Sequence, residues 1–176
     1  MIIRENCRKL GTENWGQFPI FFTLEINCLM MRKENVKMKV IGDSLSFSTG
    51  GFNDMKDLTG DVSKKLAENK LQNGIVNLFV SGSTGGLTTI EYESGLVKDF
   101  SEFLERIIPS NVTYHHDARW GDGNGFSHVR ASLVGPSLTV PFSNGALNLG
   151  TWQQIVFVDF DNRSRSRTIL IQFIGE

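Results

Sequence analysis

Three apolar runs rich in β-branched residues close the chain: SLTVPF at 137–142, QQIVFVDF at 153–160 and RTILIQFI at 167–174. The polar connections between them are short, which favours antiparallel pairing over parallel crossovers. In the last run Ile169, Ile171 and Phe173 fall on one face, as in a strand buried on one side. Upstream, KVIGDSLSFST (39–49) alternates as a strand. Asn73-Gly74 then punctuates the chain before IVNLFV, an apolar strand over 75–80.

Helical spacing occurs in two places. Asp54 can accept a backbone hydrogen bond at a helix start, and Met55, Leu58, Val62 and Leu66 recur at helical intervals after it. Residues 95–108 form a second amphipathic pattern, with Leu96, Phe100, Phe103, Leu104 and Ile107 as the buried stripe and Pro109 as the stop. SGSTGGLTT is either a flexible segment or a glycine-rich strand, and 110–128 reads as a polar, glycine-containing connection. The expectation is an α+β fold: mixed, mainly antiparallel sheets with two main helices, in a single domain over 38–176. Residues 1–37 differ in texture, with a polar aperiodic start and the apolar stretch FPIFFTLEINCLMM; Met31 and Met38 are internal methionines, the second at the expected start of the domain. They read as an N-terminal extension of uncertain order.

A formal net charge of −1 supplies no general attraction for nucleic acid. Glu25 and Asn27 interrupt the most apolar stretch, so no membrane span is expected. Cys7 and Cys28 are the only cysteines, too few for a disulfide framework, which fits a reducing cytoplasm. Thirteen phenylalanines against two tyrosines point to thick apolar packing, in the core or between subunits.

All three histidines, His115, His116 and His128, occur within TYHHDARWGDGNGFSHVRAS. Imidazole changes charge near neutral pH and binds borderline metals through its neutral nitrogen. His116 beside Asp117, and His128 beyond a glycine-rich reversal, are expected to converge on one substrate or one metal. In an extended segment only one of His115 and His116 would join a given pocket. Glu91 or Asp117 is the candidate third ligand or general base. Asp122-Gly123-Asn124-Gly125 reads as a tight turn rather than a calcium loop.

Ser83 and Thr84, among glycines 82, 85 and 86, offer hydroxyls and close backbone amides to a phosphate, or simply pack tightly in a sheet. Arg163, Arg165 and Arg167 alternate and can form a cationic strip for phosphate oxygens, or pair at the surface with Asp159 and Asp161. Trp152 and Gln153 follow a glycine turn, where the indole either walls a ring-binding pocket or fills a subunit seam.

Taken together, STGGLTTIEYESG, YHHD, GNGFSHVRASLVGPS, VPFSNG and LGTWQQIVFVDFDNRSRSR resemble the YjbQ-like family across roughly 38–176. The resemblance implies a compact subunit that assembles as a homotrimer with sites near subunit boundaries. It also implies, for some bacterial members, a thiamine-phosphate synthase activity. His116 and His128 match the family's histidine stretches, and Asp117 and Glu91 match its acids. Trp152 and Gln153 match its Gly-Thr-Trp-Gln, and Arg165 and Arg167 match its basic ending. Gly82-Ser83-Thr84 departs from the His-Thr-Thr or His-Thr-Ser of many bacterial members, in the manner of an archaeal-looking branch.

The expected function is therefore a small-molecule enzyme acting on a phosphorylated heterocycle. The catalytic set is His116, His128, Asp117 and Glu91; the substrate-binding set is Ser83, Thr84, Arg165, Arg167, Trp152 and Gln153. A divalent metal, zinc or magnesium, would sit on His116 and His128, although magnesium prefers oxygen ligands. The rivals are a metal-assisted hydrolase and a non-catalytic trimeric ligand-binding protein.

Overall fold

The computed structural model describes residues 37–176. The expected extension, but for Lys37, lies outside the described residues, as do both cysteines. In chain order the elements are β1 (Lys39–Thr49), β2 (Asp54–Asp57), α1 (Thr59–Asn69), β3 (Gly74–Val80), β4 (Gly85–Ile90) and α2 (Ser94–Ile107). They continue with α3 (His115–Trp120), α4 (Gly125–Val134), β5 (Ser137–Ser143), β6 (Ala146–Leu147), β7 (Gln154–Asp159) and β8 (Arg165–Gly175).

Two antiparallel sheets result, ordered β1-β8-β3-β5-β6 and β2-β7-β4. The burial of their strands follows from what covers each face. β8 alternates buried and exposed residues, because only one face of the larger sheet meets the core. Its buried Ile169, Ile171 and Phe173 pack with Val76, Leu78 and Val80 of β3, with Ile155 and Phe157 of β7, and with Val62 and Leu66 of α1. β7 is buried almost throughout, as its continuous apolar run requires. Its opposite face, Val156 and Val158, packs with Leu104 of α2 and Ala131 of α4. The order through the domain is larger sheet, smaller sheet, then α2 and α4, while α1 packs into the core that the two sheets share. Val40, Ile75, Phe79 and Leu170 stand exposed on the larger sheet.

The α+β class and mainly antiparallel sheets stand, but the expected two main helices are corrected to four, of 11, 14, 6 and 10 residues. The additional pair, α3 and α4, occupies most of the segment read as a polar connection. Met55 also moves from helix to strand: β2 pairs with β7, opposite Val158, and the first helix starts only at Thr59. On α2 the expected buried stripe is narrower, for Leu104 is buried while Phe103 and Ile107 are exposed. The chain crosses between the sheets after β7, so Asp159 and Asp161 come to lie against the start of β8. That crossing builds the floor of the site.

Candidate functional site

The corner between α3 and α4 is held largely by one carboxylate. Asp117 accepts hydrogen bonds from the Tyr114 amide (3.1 Å) and the Gly125 amide (2.8 Å), so it closes the start of α3 and the start of α4 together. Gly121 ends α3 in the left-handed region (φ 70°). Gly125 must lack a side chain, because a Cβ there would collide with that of Tyr114 and lie 3.0 Å from Asp117 Oδ1. Arg130, 1% exposed, fixes α4 from its buried side. Its guanidinium donates to the Ile108 carbonyl (2.6 Å), Asn53 Oδ1 (3.1 Å) and Glu105 Oε2 (2.5 Å).

This corner sets His116 on α3 against His128 on α4, with ring centroids 4.3 Å apart and planes tilted by 39°. Asp122 Oδ2 lies 3.3 Å from His116 Nε2. A carboxylate only accepts, so that nitrogen carries the hydrogen of the contact. Burial lowers the His128 pKa below its ordinary 6.5, and the neighbouring His116 lowers it further; Asp122, Asp161 and the Ser83 main chain oppose them without prevailing. His128 is therefore a neutral imidazole at pH 7. By NMR titration its pKa should fall below 6.5, fall further in Asp122→Asn, and rise in His116→Ala. A His128 titration unmoved by either change would remove the electrostatic coupling.

Below the histidines runs a buried ion-pair seam between the sheets. Arg167 donates to both oxygens of Asp159 (2.5 and 2.7 Å) and to the Thr84 hydroxyl (2.9 Å). Arg165 donates to Asp161 (2.6 Å), which also accepts from Thr84 (3.0 Å). The Thr49 hydroxyl donates to Asp159. Burial raises the Asp161 pKa, but the hydrogen bonds and charge of Arg165 and the Thr84 bond outweigh it, so the net shift is downward. The two arginines thus meet their two aspartates, but in a largely buried seam rather than at the surface. Arg167 Nη1 points elsewhere: a Cβ on Gly82 would stand 3.0 Å from it.

Gly82, Ser83, Gly85, His128, Ala131, Ser132 and Pro136 line a cleft of about 180 Å³. The family described as UPF0047 protein YjbQ-like matches residues 43–176, which hold every residue of this cleft. The chain belongs to that family. A UPF0047 protein of Methanothermobacter thermautotrophicus is 38% identical over 144 residues, covering 82% of this chain and 99% of the relative. One of Bacillus subtilis is 32% identical, covering 75% and 98%. The crystal structure of a YbjQ-like protein of unknown function from Sulfolobus solfataricus superposes with a TM-score of 0.75 at 29% identity, covering 80% of this chain and all of that one.

Within this YjbQ-like fold the expected site residues divide between two ends of the smaller sheet. Ser83, Thr84, His116, Asp117, His128, Arg165 and Arg167 gather at the end where Gly85 pairs with Asp159. Glu91, Trp152 and Gln153 sit at the other end, where Ile90 pairs with Gln154, about 17 Å away at roughly 3.4 Å per residue. Trp152 is 70% exposed, and Gln153 donates to the Thr89 hydroxyl (2.9 Å). His115 opens α3 and is exposed. Asp122 and Ser132 belong to the site although the sequence reading had not chosen them. Asp122 was absorbed into a glycine turn, and Ser132 shows its place only once α4 exists, four residues after His128. Among the described residues no group of three or more His, Cys, Asp or Glu side chains stands where one metal ion could be held. Among them, too, no helix is long and apolar enough to cross a membrane.

Proposed function

We propose that this YjbQ-like chain is a cytoplasmic enzyme acting on phosphorylated heterocycles, by a transfer of the thiamine-phosphate synthase kind. The observation that carries the reading is the His128 imidazole lining a small hydroxyl-bearing cleft, with His116 and Asp122 ranged behind it. A cleft of about 180 Å³ accepts one phosphate-bearing end of a ligand. Ser83 and the Nη1 edge of Arg167 beside Gly82 supply the donors, since the Ser132 hydroxyl already donates to the His128 carbonyl (2.8 Å). Asp159 and Asp161 offset the formal charge of Arg165 and Arg167, so the anion is held mainly by directed hydrogen bonds.

In the transfer, a thiazole ring nitrogen gives its electron pair to the methylene carbon of a pyrimidinylmethyl diphosphate. The bond from that carbon to the diphosphate oxygen breaks, and pyrophosphate leaves with the bonding pair. His128 donates its N–H to the departing oxygen as charge develops there, while His116 holds the His128 ring in place. Within one chain His116 and His128 are two imidazole donors, one fewer than the three protein ligands of a catalytic zinc site.

The reading includes a homotrimer, in which Glu91, Trp152 and Gln153 reach the histidines of a neighbouring copy rather than their own. The test is pyrophosphate release by the full chain from pyrimidinylmethyl diphosphate and thiazole phosphate. Release that needs both substrates is expected. Phosphate release from either one alone would point to a hydrolase, and saturable binding without turnover to a binding protein; each of these overturns the transfer.

A further inference from the structure

The cleft beside His128 is smaller than the roughly 300 Å³ at which pockets for whole small molecules begin, so the remainder of any ligand lies on its rim. Beside His128, just outside the residues that line the cleft, lies α3, which brings His116 against it. On that helix His116 and Trp120 are four residues apart and share a face, about 6 Å along the axis. Trp120 is 67% exposed, and α3 buries none of its residues. The Arg119 guanidinium lies 5.7 Å from the centroid of the indole. A cation attracted to one face of an indole leaves the opposite face as a flat surface. Among the described residues no aromatic ring stacks on that opposite face.

We infer that Trp120 is the aromatic wall of the site, stacking on the ring of a phosphorylated heterocycle whose phosphate end lies beside His128. This rests on the function proposed above and adds the residue that selects for a ring. Trp152, which the sequence suggested for this role, stands at the far end of the smaller sheet in the same chain. His116 links Trp120 to the cleft within one chain: its ring lies against that of His128, which lines the cleft, and its helix carries the indole one turn further on.

The test compares two probes by titration calorimetry, inorganic pyrophosphate and pyrimidinylmethyl diphosphate, on the full chain. In Trp120→Ala the ring-bearing probe should bind about 3–10-fold more weakly, the range expected for one aromatic stacking contact. Pyrophosphate affinity should be unchanged, and Trp120→Phe should retain most of the ring-dependent gain. Equal weakening of both probes, or of neither, overturns the assignment. So does a wild-type chain that binds pyrophosphate as tightly as the ring-bearing probe, an outcome that leaves the phosphate cleft standing. A wild-type chain that binds neither probe overturns the cleft and the wall together.

Discussion

Truncating Asp159 to alanine is expected to lower the thermal midpoint by roughly 6–20 °C, from a loss of about 3–5 kcal/mol. Asp159 is fully buried and accepts from two guanidinium nitrogens of Arg167, the Thr49 hydroxyl and the Asp161 amide. Its removal leaves a nearly buried cation facing only the more distant Asp161 carboxylate (3.5 Å), which Arg165 already engages, and leaves the Thr49 hydroxyl with the Arg165 carbonyl alone. The penalty comes from that poorly compensated charge rather than from the net worth of the pair. Replacing both members, with Asp159→Leu and Arg167→Met, should therefore recover much of the loss. Differential scanning calorimetry separates the cases. An Asp159→Ala chain melting within a degree or two of wild type would show that the seam is hydrated and contributes little.

Replacing His128 by alanine should reduce turnover by about 10²–10³-fold, the range for removing one hydrogen-bond donor from developing charge. The fold should survive, since the buried side of α4 is made by Phe126, Ser127, Arg130 and Ala131 and not by the imidazole. Exchange of His116 should cost less and leave a signature of its own. The limb of the pH profile that reports His128 moves upward, because a like-charged neighbour has been removed. The sign follows from the lowered pKa: His128 stays neutral as the pH falls through 6.5 and takes up its proton only below that. Unchanged kcat/KM in His128→Ala, in an assay where wild type turns over, would exclude the imidazole from the chemistry.

The strands were legible because their periods are physical consequences of burial. β8 alternates with one covered face and β7 is continuously apolar with two, and both patterns stand in the bare sequence. The pair α3–α4 was not legible, for an equally physical reason. α3 buries no residue, and α4 turns Gly125, Ser127, Arg130 and Ala131 inward among its buried residues, so neither shows an apolar stripe. What marks them is chemistry at their ends: Asp117 three residues after Tyr114, and Gly121 in the left-handed region. Within the site, the nearness of His116 and His128 in sequence suggested that they might meet. The partner of His116 did not follow from adjacency, because Asp117 turns to backbone amides and Asp122 takes the imidazole contact. The two arginines were visible as a strip, yet their commitment to Asp159 and Asp161 depends on a crossing between sheets that no local pattern records.

One half of the histidine pair rides on a helix with no anchor in the hydrophobic core. α3 is tied down through Asp117, through the Tyr114 hydroxyl on the Pro109 carbonyl, and through Asn162 on the Asp122 carbonyl. A segment held by a few polar ties opens at a small fraction of the free energy of global denaturation, whereas α4 is locked by Arg130. Amide protons of α3 are accordingly expected to exchange with solvent through subglobal openings while those of α4 wait for larger ones, so that the imidazole pair would assemble and part on the faster of these clocks.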